Sequence, residues 1–417
     1  MEGIILNNIN IEKNKVIYNF SSNEKLKKYF NYGNQLFIQY NTDISQVPHS
    51  VLMIPFLVNI LPILWITDYE MIVEELDEDF YYCLENVKKG FKSMYPNVSF
   101  NGQLHVKNLI KNKYEIQKEA AQLFSGGLDA VTTYIRIKEK YPVLITHYNW
   151  FEDEIKENKV WLAEKKIVTD FAKKYKLANI FIESNFGTFL NYKTLDKDFS
   201  KKLNDNWWHG IHHGMAFIGM TAPIMYLMKI KTLYIASSFY EGNPCPCASD
   251  PRIDNQIKMA SSSVYHDGYE FNRQQKVQII NNYVKKTNDK MNLKVCFRTD
   301  KNCCNCEKCM RTILGIIIEG GNPKNFGFEI DDNYDCTLKH FIRNEVKFFT
   351  KSKILIWSIM QERLKENYEQ ISQKWDFEWL LNYDFRKEKE IRLMEYRIKN
   401  FFPILIRKIK TRLDFNS

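Results

Sequence analysis

Residues 120–130 are Ala-Ala-Gln-Leu-Phe-Ser-Gly-Gly-Leu-Asp-Ala, and they contain the main signal for the predicted fold. An apolar run ends at Phe124 in Ser-Gly-Gly, and a helix-compatible segment follows from Ala130 to Lys140. The pattern predicts a strand, a tight glycine turn and the start of a helix. Such a turn collects backbone N–H groups at the positive end of a helix dipole, which favours a bound phosphate. Ser125 would add a hydroxyl donor and Asp129 a carboxylate for Mg²⁺.

Strand-like and helix-like segments alternate from Glu119 onward, which is typical of a parallel sheet covered by helices. The predicted strands are 120–124, 143–147, 179–183 and 232–236. The predicted helices are 130–140, about 158–175, and an apolar segment that ends near residue 229. In such a sheet ligands bind beyond the carboxyl ends of the strands. The residues expected at that edge, besides the glycine turn, are His147, Ser184, Ser237 and Ser238, and the last two are candidates for nucleotide binding.

Five of the nine cysteines lie between residues 296 and 309. Cys296, Cys303, Cys306 and Cys309 form a C-x6-C-x2-C-x2-C pattern, whose four thiolates can complete a tetrahedral Zn²⁺ shell. Sulfur-only ligation selects zinc or an iron–sulfur cluster, and reduced thiols are the remaining alternative. Cys304 is either a turn residue or a substitute ligand.

Two further groups allow both a chemical and an ordinary interpretation. Cys245 and Cys247 flank Pro246 and are either reactive thiols or unremarkable loop residues, because no neighbouring base is evident. His266 and Asp267 are candidates for acid–base catalysis, and a buried hydrogen-bonding role is the alternative.

The histidines His209, His212 and His213 lie close together in sequence. His209 and His213 are four residues apart and could share a helix face. No glutamate stands between them as in H-E-x-x-H, so contact with a substrate or nucleotide is favoured over metal binding. Gly210 and Gly214 beside them indicate close packing.

Composition excludes a disordered chain, since 45% of the 417 residues are hydrophobic and 14% are aromatic. The N-terminus has no basic region followed by an apolar core, so no signal peptide is expected. Residues 51–66 are apolar but contain Pro55 and Pro62, and are interpreted as buried strands or core rather than a membrane span. The predicted location is cytoplasmic. Asp77, Glu78 and Asp79 are expected to be a solvated helix start.

Charge is concentrated at one end of the chain. Residues 386–413 contain ten lysines and arginines against three glutamates, whereas the net charge of the whole chain is +9. Because the remainder is nearly neutral, nucleic acid is not an expected partner of the main body. Apolar residues among these charges allow Arg386–Leu413 to rest on an anionic membrane or to contact an acidic partner. The alternative is a helix packed on its own domain with a solvated basic face.

Ser125, Gly126, Gly127 and Asp129 resemble the Ser-Gly-Gly-x-Asp-Ser/Thr loop of the PP-loop ATP pyrophosphatases, with Ala130 in place of the final hydroxyl residue. The resemblance implies that residues 125–129, Leu128 included, contact the pyrophosphate of ATP and its Mg²⁺. Together with the cysteine pattern in 302–312, the chain resembles the 7-cyano-7-deazaguanine synthase family, with Cys304 replacing a glycine. This likeness covers about residues 119–320. It implies a Rossmann-like (HUP-type) α/β fold, a parallel sheet with helices on both faces.

The expected organisation is an N-terminal α+β region (1–117), a PP-loop domain with a zinc-binding loop (118–330) and a helical basic extension (331–417). The family implies cleavage of ATP to AMP and pyrophosphate, with ATP, Mg²⁺ and Zn²⁺ as cofactors. A carboxylate or amide oxygen of a small molecule would be activated for attack by ammonia or an amine. The alternatives are a tRNA- or nucleic-acid-modifying PP-loop enzyme and a non-catalytic nucleotide-binding protein in a defence or glycan pathway. A homodimer is compatible with this reading.

Overall fold

The computed structural model describes residues 3–31, 33, 35–148, 159–296 and 298–413, without the side chains of residues 159, 160 and 400–413. The chain divides into unit 1 (residues 1–272) and unit 2 (residues 273–417). The expected boundaries at 117/118 and 330/331 do not coincide with this division. Parts of the expected domains, residues 149–158 and 414–417, lie outside the described residues.

Unit 1 is built around a mixed sheet. Its strands, in chain order, are β1 (Ile4–Glu12), β2 (Lys15–Ser22), β3 (Gln35–Tyr40), β4 (Glu70–Asp77), β5 (Gln103–Ile110), β6 (Lys118–Leu123), β7 (Val143–Tyr148), β8 (Asn179–Ser184), β9 (Ile230–Ala236), β10 (Lys258–Met259) and β11 (Ser262–Asp267). Nine of them form one sheet in the order β1-β2-β3-β8-β7-β6-β9-β11-β10, and β4 and β5 form a separate parallel pair. Thus the four strands expected from the sequence all occur, within one or two residues of their predicted bounds.

The direction of the strands changes across this sheet. β6 pairs in parallel with β7 and with β9, and β8 and β11 extend the parallel pairing on either side. β1, β2 and β3 pair antiparallel, and β3 joins the sheet by pairing with β8. For this reason the first 117 residues share a sheet with the segment that follows them.

Helices cover both faces of the sheet. Those of unit 1 are α1 (Glu24–Lys27), α2 (His49–Thr67), α3 (Glu78–Met94), α4 (Leu128–Ile137), α5 (Lys159–Tyr175), α6 (Tyr192–Leu203), α7 (His213–Gly219), α8 (Ala222–Leu227) and α9 (Pro251–Asp254). A 3-10 turn (Lys138–Lys140) extends α4, and a π-helical turn (Trp208–His212) precedes α7. The predicted helix 130–140 therefore begins two residues earlier, directly after the glycines.

The segment 51–66 was expected to be strands or core, and the strand alternative is wrong. It forms the buried helix α2, with Pro55 and Pro62 inside it. A helix that is apolar on every side shows no 3.6-residue periodicity, so its sequence cannot be told from buried strands. In the described part of the chain α2 is the one helix long and apolar enough to cross a membrane, and 94% of its most apolar window is buried.

Asp77 begins helix α3, as expected, but it is not solvated. Its carboxylate is 1% exposed and accepts hydrogen bonds from the backbone N–H groups of Phe80 and Ala260 and from Nδ2 of Asn112. Burial raises the pKa of Asp77, and these three donors oppose that shift. The residue is thus both a helix cap and a buried link to the strand pair β10–β11.

Unit 2 is helical. Its helices are α10 (Arg273–Thr287), α11 (Glu307–Ile318), α12 (Tyr334–His340), α13 (Lys351–Ile371), α14 (Glu378–Leu381) and α15 (Phe385–Leu413). Helices α10, α11 and α13 pack on one another. A buried Glu319 at the end of α11 joins the three, since it pairs with Arg363 of α13 at 2.9 Å and accepts from Gln274 of α10 at 2.8 Å.

Candidate functional site

The glycine turn follows β6, the middle one of the five parallel strands β8-β7-β6-β9-β11. Ser125 is exposed, and Gly126 has a φ of 71°, a left-handed conformation that favours glycine. Gly127 caps α4 without any side-chain hydrogen bond to the first turn. Asp129 lies half-buried in that first turn. No side chain caps the first turn of α4, as an anion site requires, and the N–H of Gly127 donates to Oγ of Ser125 at 3.4 Å.

Buried hydrogen bonds hold this turn in place from below. Oγ1 of Thr146 on β7 donates to the carbonyl of Phe124 at 2.6 Å, and the Phe124 N–H donates to Ile145 at 2.8 Å. Nε2 of Gln122 donates to the carbonyl of Ala130 at 2.6 Å. Ala130 itself is 5% exposed, so its methyl group packs inside the unit. The turn is rigidly connected to two strands and to its own helix.

Asp267, at the end of β11, is also connected to α4. Its carboxylate accepts from Oγ1 of Thr133 at 2.7 Å and from Nε of Arg136 at 3.1 Å. Arg136 in addition pairs with the more exposed Glu270 at 2.6 Å. Asp267 is 3% exposed and both of its oxygens are engaged, which is the buried hydrogen-bonding role rather than that of a proton carrier.

The other residues expected at the carboxyl edge differ in accessibility. Ser237 is buried. Its backbone N–H donates to the carbonyl of Asp267 at 2.8 Å, and its hydroxyl donates to the carbonyl of Phe239 at 2.7 Å. Ser238 is exposed directly beside it. His147, the residue before the end of β7, lies against the ring of Phe217, and burial lowers its pKa to about 3. Ser238 is consequently the accessible hydroxyl of the pair.

His266 forms a buried dyad with a residue that the sequence did not single out. Its Nδ1 lies 2.7 Å from Oδ2 of Asp254, the last residue of α9, and the same oxygen accepts from the hydroxyl of Ser249. Because the carboxylate can only accept, we place the imidazole proton on Nδ1. Among the described residues, Nε2 of His266 has no hydrogen-bond partner. A buried imidazole with one nitrogen fixed by a carboxylate, and the other buried without a partner among the described residues, can accept a proton on the second nitrogen.

The loop that carries Cys245 and Cys247 lies beside this dyad. The thiol of Cys247 is buried and donates to the carbonyl of Ser249 at 2.8 Å. Burial raises the pKa of Cys247 to about 12 and also raises that of Cys245. A thiol with such a pKa is protonated at neutral pH and is a poor nucleophile. The geometry therefore favours the interpretation of both cysteines as ordinary loop residues.

Gly214 explains how this loop approaches the helix behind it. A Cβ on Gly214 would lie 2.2 Å from the carbonyl oxygen of Ala248, so only glycine allows the contact. The close packing inferred from the sequence is confirmed here. Gly210 is less constrained, since the nearest atom to a Cβ would be the Tyr95 hydroxyl at 3.3 Å.

The three histidines near residue 210 do not form a metal site among the described residues. His212 is a core residue, hydrogen-bonded through Nδ1 to the hydroxyl of Tyr192 at 2.9 Å and through Nε2 to Oδ1 of Asn59 at 3.0 Å. Burial lowers the pKa of His212 to about 3. His209 pairs instead with Asp205, and His213 with the carbonyl of Trp208. His212 is therefore unsuited to the substrate or nucleotide contact that the sequence predicted for these histidines.

In unit 2 the four expected cysteines come together. The sulfur atoms of Cys296, Cys303, Cys306 and Cys309 all lie within 4.8 Å of one another, and those of Cys303 and Cys309 are 3.9 Å apart. Four thiolates at this spacing fit the tetrahedral shell of a zinc ion, whose sulfur ligands lie at about 2.3 Å from the metal. Cys306 caps α11, so its sulfur also lies at the positive end of that helix.

Cys304 stands outside this cluster. Its φ is 55°, a left-handed conformation in which a side chain is strained and glycine is favoured. Its thiol lies 3.6 Å from the carbonyl of Asn302 instead of facing the other sulfurs. The turn interpretation of Cys304 is therefore confirmed. Asn302 stabilises the same turn, because its Oδ1 accepts from the N–H groups of Val295 and Cys296.

Three functional candidates were missed in the sequence, namely Asp254, Thr133 and Arg136. Asp254 lies 12 residues before His266, and only the return of the chain through β10 and β11 brings the two together. Thr133 and Arg136 lie more than 130 residues before Asp267. No local sequence pattern indicates contacts between residues so far apart in the chain.

Comparison of the chain with protein-family models gave no match, and comparison with curated protein sequences gave none either.

Proposed function

We propose that this chain is an ATP-dependent adenylating enzyme, which cleaves ATP to AMP and pyrophosphate while activating a small-molecule carboxylate or amide. The observation that carries the proposal is the Ser125–Asp129 turn. It combines an exposed serine, a left-handed glycine and an uncapped helix start at the carboxyl end of β6. These are the features that accommodate a chain of phosphates.

The position of the turn in the sheet supports the same conclusion. From β6 the chain proceeds to β7 and β8 on one side, and to β9 and β11 on the other. The point at which the order reverses leaves a crevice between the loops, and open α/β sheets bind ligands there. A Rossmann-like (HUP-type) assignment of the parallel strands accords with this order.

In the first half-reaction an oxygen of the substrate attacks the α-phosphorus of ATP, and pyrophosphate leaves. We assign the β- and γ-phosphates to residues 125–128 and a Mg²⁺ ligand to Asp129. Ser238, exposed at the end of the neighbouring β9, would contact the nucleotide. Backbone N–H groups fixed by Thr146 and Gln122 need no reorganisation as charge develops on the leaving pyrophosphate, which favours the transition state.

In the second half-reaction ammonia or an amine attacks the adenylated carbon, AMP leaves, and the attacking nitrogen loses a proton. We assign that proton to Nε2 of His266. The carboxylate of Asp254 would hold the ring in the required tautomer and stabilise the imidazolium that forms. An adenylated amide would instead form a nitrile without a second nitrogen: its carbon–oxygen bond breaks, AMP leaves, and the same base takes the proton of the amide nitrogen.

The four-cysteine cluster is assigned a structural role. Zinc bound by four thiolates has no open coordination position, and it would cross-link residues 296–309 within unit 2. The raised pKa values of Cys245 and Cys247 give no support to a thiol-transferring enzyme acting on tRNA. All nine cysteines are free of disulfides, which accords with a cytoplasmic location.

The proposal is tested by measuring binding of Mg²⁺·ATP to the full chain and release of pyrophosphate rather than phosphate. The variant Gly126→Ala places a Cβ in the turn at a φ of 71°. Gly33→Ala is the matched control, because Gly33 has a φ of 70° and is exposed before β3, which β8 and β7 separate from β6. Both changes cost roughly 1 kcal/mol of stability. Only Gly126→Ala should weaken ATP binding, by about tenfold or more.

Two results would contradict the proposal. The first is a wild-type chain that shows no affinity for Mg²⁺·ATP. The second is a Gly126→Ala variant that binds the nucleotide as tightly as Gly33→Ala. Tight binding of ATP without pyrophosphate release under any substrate mixture would favour a non-catalytic nucleotide-binding protein instead.

A further inference from the structure

Helix α15 exposes an apolar stripe that no other part of the described chain covers. Ile391, Met394 and Ile398 are 42%, 64% and 66% exposed. They are three and four residues apart, so they lie one above the other on a single face of the helix. Large exposed aliphatic side chains in such a row mark an interaction surface.

The opposite face of α15 is fixed to unit 2. Phe385 is buried against Phe349 and Trp357. Arg392 is 8% exposed and donates through Nη2 to the carbonyls of Ile342 and Arg343, each at 2.8 Å. The first two turns of α15 are therefore anchored on unit 2, and the apolar stripe lies on the face away from these anchors, while all residues from Met394 to Lys399 are exposed. The packed start of the helix agrees with the alternative of a helix that rests on its own domain, whereas a solvated basic face alone does not account for the exposed aliphatic row.

The sequence extends the stripe beyond residue 399. The backbone remains helical to Leu413, and Phe401, Phe402, Leu405 and Ile409 continue the spacing of three and four residues. A helix of 29 residues is about 43 Å long at 1.5 Å per residue.

Charge indicates what covers the stripe. Residues 386–413 hold ten lysines and arginines against three glutamates, and Arg397 and Lys399 are exposed on either side of Ile398. Long basic side chains beside an apolar row can extend to lipid phosphates while the row enters the acyl boundary. The phosphates of a nucleic acid would pair with the basic residues but would not provide an apolar surface for the isoleucine and methionine side chains.

We propose that α15 docks in the plane of an anionic lipid bilayer, with Ile391, Met394 and Ile398 buried at the headgroup boundary and the basic residues on the lipid charges. This surface belongs to unit 2 and does not depend on the adenylation chemistry. Affinity should rise with the anionic lipid content and fall with salt, because the charges act within a Debye length of the membrane.

The test is cosedimentation of the full chain with vesicles of phosphatidylcholine alone and of phosphatidylcholine with phosphatidylserine. The wild type should bind the mixed vesicles and not the neutral ones. The double variant Met394→Glu/Ile398→Glu should lose affinity by a factor on the order of 100, because two aliphatic side chains leave the bilayer and two charges enter it. The matched control is Lys399→Glu/Arg397→Glu, which makes a larger charge change at the same exposed turn but spares the stripe.

That control should weaken binding less than the stripe variant does when both are compared at high salt, where charge is screened. Circular dichroism and thermal melts establish that both variants are folded. No binding of the wild type to anionic vesicles would overturn the proposal. Equal binding by the stripe variant and the wild type would do the same. So would concentration-dependent dimerisation that the stripe variant abolishes while vesicle binding persists, since a second copy would then be the occupant.

Discussion

Oγ1 of Thr133 donates a hydrogen bond to the carboxylate of Asp267 at 2.7 Å, which joins the helix of the glycine turn to the end of β11. The second oxygen of Asp267 is occupied by Arg136. A phosphate-binding turn acts by holding its N–H groups in one geometry, so the helix behind it must not move. We therefore assign Asp267 to positioning the turn and His266 alone to proton transfer.

Replacing Asp267 by Asn should destabilise unit 1 by about 2–4 kcal/mol, because Arg136 loses its buried charge partner. The measurement is urea unfolding at neutral pH. Glu270→Gln is the matched control, since it removes the exposed carboxylate from the same arginine, and it should cost less than about 1 kcal/mol. If Asp267→Asn left stability unchanged while abolishing turnover, Asp267 would be a proton carrier after all.

Asp254→Asn and His266→Gln should each lower the rate of amide or nitrile formation by about 10²–10⁴-fold, because an unpaired base or a missing base cannot accept the proton. Binding of Mg²⁺·ATP should be unchanged, since neither residue belongs to the turn. The double variant should be no slower than the slower single variant, as expected of two groups that act as one unit.

The double variant separates this role from a structural one. Losses in rate that simply multiply in the double variant would assign Asp254 to packing.

The sequence predicted the strands around the turn well, because each is a short apolar run that ends in turn residues. β6, β7, β8 and β9 follow from local pattern, and so does the cysteine cluster, whose four ligands lie within 14 residues. Helix α2 was misjudged because a helix buried on every side carries no periodic signal. Pro55 and Pro62 also indicated breaks in a helix, but the helix continues through both because it is buried on all sides.

The site was only partly predictable for a different reason. Ser125, Gly126 and His266 are visible in a local pattern, whereas the partners that fix them come from remote segments. Asp254 reaches His266 only once β11 has paired with β9, and this register is a property of the whole sheet. Asp77 was expected to be solvated because charged helix starts commonly are, and the loop at Ala260 is what buries it.

Metal analysis of the wild type should find about one zinc ion per chain, and Cys306→Ser should lose that ion and lower the melting temperature of unit 2. Cys304→Ser is the matched control, since it removes a thiol two residues away that lies outside the cluster, and it should keep the metal. Cys304→Gly should raise stability by roughly 0.5–1 kcal/mol, because it relieves a φ of 55°. Loss of zinc in Cys304→Ser would instead make Cys304 a ligand.

The stability of unit 1 should fall with acid because two of its histidines have pKa values far below the usual range. Burial lowers the pKa of His212 and of His147 to about 3 each, against about 6.5 in the unfolded chain. The unfolded state binds these protons first, so the stabilisation is complete above about pH 6.5 and is lost as the pH falls towards 3. Between about pH 7 and about pH 5 each histidine should contribute roughly 2 kcal/mol of that loss.

Urea unfolding at several pH values measures this slope. His212→Gln should lower stability at pH 7, because it disturbs the hydrogen bonds to Tyr192 and Asn59, and it should also flatten the acid slope by the share of one histidine. His105→Gln removes an exposed histidine from β5 of the same unit and serves as the matched control. A variant that only loosened the core would lower the free energy of unfolding at every pH without changing its slope against pH. An unchanged slope in His212→Gln would therefore show that this histidine is protonated in the folded state.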